Sequence, residues 1–422
     1  PSATSLKSLR AKGFLTHRSY EAETHFFKQY VGARAKKTVR GMPKYLFMPT
    51  YDCNLRCPYC FQDHMRSDPS LRKRLKLMEN ETIDRIFAAM PQIEANHGYE
   101  WEDKRQRDIS FFGGEPLLAQ NRPVIEYIMK KADDIGGATY SAVSNATELH
   151  HYADLLGPNG IREIQITLDG KPEEHDKRRI YPDGSGSFER IAQNIHLALS
   201  KGVQISLRLN VDYGNIDDLP ELAEVIKAEG WHLTDNFYIY LAPIRAANEN
   251  TDEKDCMTTH KLNIAMRKMK EAHPITGMFV SDGERMQAKE QHQLSDPDNA
   301  KSAMKTQYCA AHNRMYLFDA FADIYACWEK TGDPDIRIGN ISKYGGLQLN
   351  KEEEENWRSR NVASNPVCAQ CRYAMNCGGG CAIIAQEKTG TLHSNDCDGF
   401  GKRFRESVAM AFQNSDLAKH VN

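Results

Sequence analysis

Ten of the eleven cysteines in this 422-residue chain fall into two patterned groups, and that clustering constrains it more than any other feature. The first group is Cys53-x3-Cys57-x2-Cys60. The second is Cys368-x2-Cys371-x5-Cys377-x3-Cys381, followed by Cys397 and preceded by Cys309 and Cys327. Only Cys256 stands apart. At this cysteine content the first spacing arises by chance about 0.007 times, and the first four members of the second about 0.0002 times. Three thiolates this close can hold three irons of a cubane cluster and leave the fourth iron open. An open position is what a catalytic metal requires, whereas a structural zinc site normally closes with four ligands. His64 is the nearest candidate for such a fourth ligand. A ribbon-like zinc site built from four of the later cysteines leaves three idle.

Composition excludes several classes. Apolar residues at 40% and charged residues at 27% suit a soluble globular protein. No apolar run approaches the roughly 18–20 residues that span a bilayer, and the N-terminus lacks the apolar core of a secretory signal. The chain therefore reads as cytoplasmic, where cysteines serve metal or redox chemistry before disulfides. A net charge of -2 and a pI near 6.8 give no electrostatic case for nucleic acid. The densest basic run, Arg72, Lys73, Arg74 and Lys76, reads as a solvated loop.

From residue 45 short apolar runs alternate with longer amphipathic ones. Strands are predicted at 45–49, 109–113, 141–145, 164–168, 205–211 and 237–242. A helix lies between the first two, where Ile83, Ile86, Phe87 and Met90 share one face. Others are predicted at 123–135, 188–200 and 216–229. Six strands alternating with helices argue for an α/β unit with a parallel sheet, a partial (β/α)6 TIM-like barrel over 45–250. Sites in such barrels sit at the C-terminal ends of strands. Residues 1–44 form an N-terminal helical segment, with small helices at 6–14 and 20–30. Residues 251–308 are a polar helical connector. Residues 309–400 form a small cysteine-rich domain built around metal rather than a large core. A C-terminal helix occupies 401–422, and the charged run 351–355 starts an exposed helix.

Over residues 45–245 the chain resembles the radical S-adenosylmethionine superfamily, whose signature is the spacing of Cys53, Cys57 and Cys60. The resemblance implies that these cysteines hold a 4Fe-4S cluster. Its open iron chelates S-adenosyl-L-methionine, which is split to a 5′-deoxyadenosyl radical. Gly113-Gly114-Glu115-Pro116 ends the second strand, and by resemblance binds the methionine amine. Ser144 and Asn145 end the third strand, and Thr167-Leu168-Asp169-Gly170 the fourth. In His175-Asp176-x2-Arg179, Arg179 by resemblance pairs with the cosubstrate carboxylate. Arg208 and Asn210 are candidates facing the barrel interior. Gly184 and Gly186 complete no dinucleotide fingerprint.

Over residues 309–400 the seven later cysteines resemble the SPASM extension. The resemblance divides them between two auxiliary 4Fe-4S clusters, for three in all. Cys368, Cys371, Cys377 and Cys397 hold the distal one. Cys309, Cys327 and Cys381 hold the nearer one, one protein ligand short, with Met315 and His312 in the stretch where some relatives carry a further cysteine. Relatives carry glycine where this chain has Ala322, a departure that bears on the local turn. SPASM relatives mostly act on peptides and proteins. The resemblance thus implies an oxidoreductase that matures a ribosomally made peptide, helped by an external electron donor such as flavodoxin or ferredoxin and by a separate leader-recognition protein. Two alternatives stand beside it: an anaerobic sulfatase-maturing enzyme, and a non-catalytic electron-transfer scaffold. Sulfatase-maturing relatives place an Asp after the second SPASM cysteine. Here Cys327-Trp328-Glu329 offers Glu329, one place later, as the candidate catalytic base.

Overall fold

The computed structural model describes residues 3–11, 15–102, 104–295 and 304–415. Six strands lie side by side in chain order: β1 (Lys44–Phe47), β2 (Arg107–Phe111), β3 (Ala138–Ser144), β4 (Ile161–Leu168), β5 (Gln204–Val211) and β6 (Phe237–Pro243). Every neighbouring pair among them is parallel. Parallel strands need a crossover, and helices supply most of these. Asn80–Asn96 buries Ile83, Ile86, Phe87, Met90 and Ile93, the face its spacing predicts. Arg122–Asp133 and Phe188–Ser200 follow the same logic. The stretch read as one helix at 216–229 is a 3-10 turn, Ile216–Asp218, leading into Leu219–Ala228. The C-terminal helix runs Phe400–Gln413, and the last positions assigned to it lie outside the described residues, as do 12–14 of the first predicted helix.

Both edges of this sheet are covered. On the β6 side Val280 forms a parallel bridge with Tyr240, and the Leu241 amide donates to its carbonyl at 3.1 Å. On the β1 side lies β7 (Met315–Phe318), parallel to β1 in the register Lys44↔Met315 to Phe47↔Phe318. Three antiparallel strands continue the sheet: β8 (Asp323–Tyr325), β9 (Arg337–Ile341) and β10 (Leu347–Leu349). The sheet therefore has ten strands.

This corrects the sequence reading of residues 309–400 as a domain lacking a large core. Met315, Tyr316, Leu317 and Phe318 are all buried, as a strand covered on both faces must be. Tyr316, Phe318, Ile324, Ile338 and Trp357 share one apolar core with Tyr45, Phe47 and Ile109. The Phe318 ring lies 5.7 Å from Phe47 and 6.3 Å from Tyr45. A polar clamp sits at the end of this seam. Asp319 Oδ1 accepts from the Phe321 and Asp323 amides at 2.9 and 3.0 Å, while its Oδ2 accepts from Tyr51 Oη at 2.9 Å. Ala322 sits in this turn at φ 62°, the left-handed conformation that a glycine takes without strain, so the turn persists despite the alanine.

The N-terminal helix Tyr20–Val39 buries Val31 and Ala35 and joins a small apolar cluster with Val362, Cys368 and Ala374. Among the described residues no helix is long and apolar enough to cross a membrane. A fragment ending at residue 308 would strip β7 from β1 and expose Tyr45 and Phe47. It is expected to aggregate on expression, and a monomeric fragment with a cooperative thermal transition would contradict the shared core.

Candidate active site

The first cysteine loop leaves β1 and is held against the end of β2. The Gly114 amide donates to the Thr50 carbonyl at 3.2 Å, and the Glu115 amide to the Asp52 carbonyl at 2.8 Å. This explains the two glycines. A Cβ on Gly113, at φ 136°, would meet the Thr50 carbonyl oxygen at 2.5 Å, and one on Gly114 the Asp52 oxygen at 2.1 Å. Their smallness serves the close approach of one loop to another.

Cys53, Cys57 and Cys60 are free thiols near one another. Burial pushes Cys53 up to about 12 and Cys57 up to about 11. Donors partly offset that penalty. The Leu55 amide lies 3.4 Å from Cys53 Sγ, Asn145 Nδ2 lies 3.7 Å from the same sulfur, and Arg66 Nη2 lies 3.6 Å from Cys60 Sγ.

Glu115 joins three strand ends. It is fully buried, and Oε1 accepts from the Leu117 amide at 2.9 Å and Ser144 Oγ at 2.8 Å. Its Oε2 accepts from the Asn145 amide at 2.6 Å. Burial outweighs these donors and raises the carboxyl to about 7. Asn145 then donates to Asn54 Oδ1 at 2.9 Å, which ties the third strand end to the cysteine loop.

A second network surrounds Tyr59, between Cys57 and Cys60. Its hydroxyl donates to Asp169 Oδ2 and accepts from Arg179 Nη1 at 2.8 Å and Asn210 Nδ2 at 3.2 Å. Arg208 Nε donates to Asn210 Oδ1 at 2.9 Å. His175 and Asp176 hold this arrangement from behind. His175 is buried and neutral, its Nδ1 accepting from the Asp169 amide at 3.3 Å and its Nε2 facing Ser187 Oγ at 3.0 Å. Asp176 accepts from the Ser187 and Phe188 amides at the start of the next helix.

One cavity of about 320 Å³ brings these groups together. Cys53, Cys57 and Cys60 line it with Gly113, Gly114 and Glu115. Ser144, Asn145, Thr167, Arg179, Arg208 and Asn210 line it too, and so do Trp328 and Glu329 from beyond β8. Glu329 Oε2 pairs with Arg245 Nη2 at 2.7 Å, a partner that no sequence motif marked. Tyr59 and Arg66 were missed for the same reason, although both lie within six residues of a cysteine in the first group.

The later cysteines form two neighbourhoods. Cys309, Cys327 and Cys381 interact electrostatically with one another, as do Cys368, Cys371, Cys377 and Cys397. Arg360 stands between the two sets and feels thiolates of both. Only 3% exposed, it donates to the carbonyls of Leu392, Gly379 and Ser394. His312, in the stretch where some relatives carry a further cysteine, has both ring nitrogens facing protein groups. Its Nδ1 faces the Trp357 carbonyl at 3.1 Å, its Nε2 faces Arg360 Nη1 at 3.3 Å, and burial lowers it to about 3. Met315 is enclosed within β7. Cys256, whose thiol donates to the Asp252 carbonyl at 3.5 Å, lines a larger cavity of about 720 Å³ with Cys377, Cys381 and Cys397. The connector thus folds back over the later cysteines.

Among the described residues no group of three or more His, Cys, Asp or Glu side chains is placed to hold a single metal ion. A polynuclear cluster, with each thiolate on its own iron, asks for wider spacing than one tetrahedral ion. Buried groups without partners, Arg66 Nε and Nη1, Arg179 Nε and Asp169 Oδ1, gather at the same loop. Thiols, donors and orphaned cations together fit a negatively charged iron–sulfur cluster with a zwitterionic ligand beside it.

Glu115→Gln tests the strand-end junction. Whichever way the amide turns, either the Leu117 or the Asn145 amide loses its acceptor. The expected cost is about 1–3 kcal/mol of stability, read by thermal unfolding. Arg360→Gln removes donors to the Leu392, Gly379 and Ser394 carbonyls and is expected to destabilise the later cysteine region by about 1–3 kcal/mol, read by thermal unfolding.

Residues 47–226 match the model of the radical SAM superfamily. A cysteine-type anaerobic sulfatase-maturating enzyme of Clostridium novyi (strain NT) is 21% identical over 373 residues, 85% of this chain and 93% of the relative. A GTP 3′,8-cyclase of Rhizobium etli (strain CIAT 652) is 27% identical over 184 residues, 43% of this chain and 47% of its own. Among solved structures, native anSMEcpe with bound AdoMet and peptide superposes with a TM-score of 0.60 at 16% identity, covering 88% of this chain and 96% of that one. SuiB of Streptococcus suis bound to precursor peptide SuiA gives 0.56 at 14% identity, covering 94% and 87%. The matched segment contains the three-cysteine loop and the strand-end residues gathered around its cavity, so residues 47–226 are similar to the radical SAM superfamily in the part of the chain that builds this site.

Proposed function

We propose that this chain is a peptide-modifying radical SAM oxidoreductase with two auxiliary clusters in a SPASM-type region at residues 309–400. The observation that carries the reading is the continuity of the two cavities. Arg208, Pro243, Ile244 and Arg245 line both the first-cysteine cavity and the larger one beside Cys377, Cys381 and Cys397. A substrate lying across that shared wall would reach both cysteine regions.

Cys53, Cys57 and Cys60 would hold a 4Fe-4S cluster, with Glu115, Ser144, Asn145, Thr167 and Arg179 around S-adenosylmethionine. When bound, that pair would supply a 5′-deoxyadenosyl radical for hydrogen abstraction, and clusters held by the later cysteines would supply an electron acceptor for the oxidation. Glu115 fixes the strand ends. Arg179, with one nitrogen unpaired, offers a cation for a carboxylate. Arg245 orients Glu329 toward the cavity, where a carboxylate can take the proton that leaves as the substrate is oxidised. Electrons would pass onward to an external carrier.

Peptide maturation is the preferred reading, supported by the peptide-bound structures that share this fold. The position of Glu329 and the length of the match to the sulfatase-maturating relative favour formylglycine formation as a second reading. Mass spectrometry of a co-expressed peptide from a neighbouring reading frame separates them. Crosslinking or desaturation removes about two daltons per site. Formylglycine in a sulfatase-derived peptide instead yields an aldehyde that hydrazine traps. Neither change with either peptide, from protein that makes 5′-deoxyadenosine, would refute this substrate class. Cys53→Ala is expected to abolish 5′-deoxyadenosine formation, and the whole protein to carry about twelve irons.

A further inference from the structure

Arg66 is the least satisfied cation in the molecule's first cysteine region. Its side chain is only 5% exposed, yet Nε and Nη1 have no hydrogen-bond partner among the described residues. Its third nitrogen, Nη2, lies 3.6 Å from Cys60 Sγ and 3.6 Å from Asp63 Oδ1. That distance to Asp63 is an ion pair without a hydrogen bond, so the carboxylate does not account for the guanidinium. Buried N–H groups left without an acceptor are costly, so such groups ordinarily have one. The groups that hold the Arg66 guanidinium charged are led by the sulfurs of Cys60 and Cys53, ahead of Asp63.

The side chain is also held in place. Arg66 lies on the short helix His64–Ser67, and Gln62 before that helix and Met65 within it are held against the loop after Cys327. Gln62 Nε2 donates to Thr331 Oγ1 at 3.1 Å, and a Cβ on Gly332 would come within 1.9 Å of Met65 Cε. Backbone and packing thus present a rigid cation to the cysteines, with its N–H groups unspent.

We propose that Arg66 donates hydrogen bonds to the sulfurs of the first cluster and holds that cluster's reduction potential up. This rests on Cys53, Cys57 and Cys60 binding a 4Fe-4S cluster. Reduction adds one negative charge to the cluster, and a fixed cation with donors aimed at its sulfurs stabilises the reduced form. A planar guanidinium with five N–H groups can serve a thiolate and neighbouring sulfides together, which an ammonium cannot. Arg66 is therefore a tuning residue. It transfers neither protons nor electrons.

The test is an EPR-monitored redox titration of anaerobically reconstituted, full-length protein, following the signal that S-adenosylmethionine perturbs. At a fixed solution potential Arg66→Gln is expected to lower the ratio of reduced to oxidised first cluster about tenfold, equivalent to ~59 mV for one electron. Arg66→Lys, which keeps the charge and loses the fork, should fall between it and the unsubstituted protein. Labelling with 15N-arginine should produce a nitrogen coupling to the reduced cluster that Arg66→Lys abolishes. Should Arg66→Gln fail to retain iron, Arg66→Lys decides alone. An unshifted midpoint in the variants, or a coupling that survives Arg66→Lys, overturns the inference. A protein with no signal sensitive to S-adenosylmethionine would instead overturn the reading of the cysteine loop.

Discussion

Lys44–Phe47 pairs in parallel with Met315–Phe318, and the placement of both cysteine regions depends on that contact. The strand that launches the first cysteine loop is thereby hydrogen-bonded to β7, whose antiparallel neighbour β8 leads into Cys327, Trp328 and Glu329. The aromatic seam of Tyr45, Phe47 and Phe318, closed by the Tyr51–Asp319 hydrogen bond, fixes the two loops on one rigid layer. A flexible linker between separate domains would leave their spacing to chance. Here it is set by strand register, which a one-residue slip would invert.

Electrostatics are handled alike in both regions. Burial penalises the charged form of Cys53 and Cys57 in the first region and of Cys327 and Cys368 in the second, and buried guanidinium groups stand beside them. Arg66 faces the first loop, Arg179 reaches it through Tyr59, and Arg360 lies between the later two sets. Arg360 is surrounded by carbonyls and a neutral imidazole, and among the described residues no carboxylate forms an ion pair with it. A cation so buried is costly by itself, and clustered thiolates are costly by themselves. Each offsets the other's penalty.

Much of this was legible in the residues. Strong periodicity marked six strands and the helix through Ile83 and Met90, because burial on one face forces a spacing that survives in the chain. The three-cysteine loop and the Gly113–Glu115 turn were visible because chemistry and close approach each demand particular residue types at particular intervals. Arg245, Arg66 and Arg360 were not visible. An arginine is common on surfaces, and nothing local separates a buried cation beside a thiolate from one in water. The surroundings of His312 were equally hidden: which groups its two ring nitrogens face is decided by Trp357 and Arg360, far along the chain.

The sequence by itself determined which residues could carry the chemistry and which elements would alternate, since spacing, periodicity and thiol content are local properties. Tertiary structure alone decided that residues 309–400 extend the first sheet, that Glu329 meets Arg245 at the mouth of the three-cysteine cavity, and that Arg66 keeps two nitrogens unpaired. Those outcomes come from long-range strand pairing and from the shared exclusion of water, and neither leaves a pattern within a short stretch of chain.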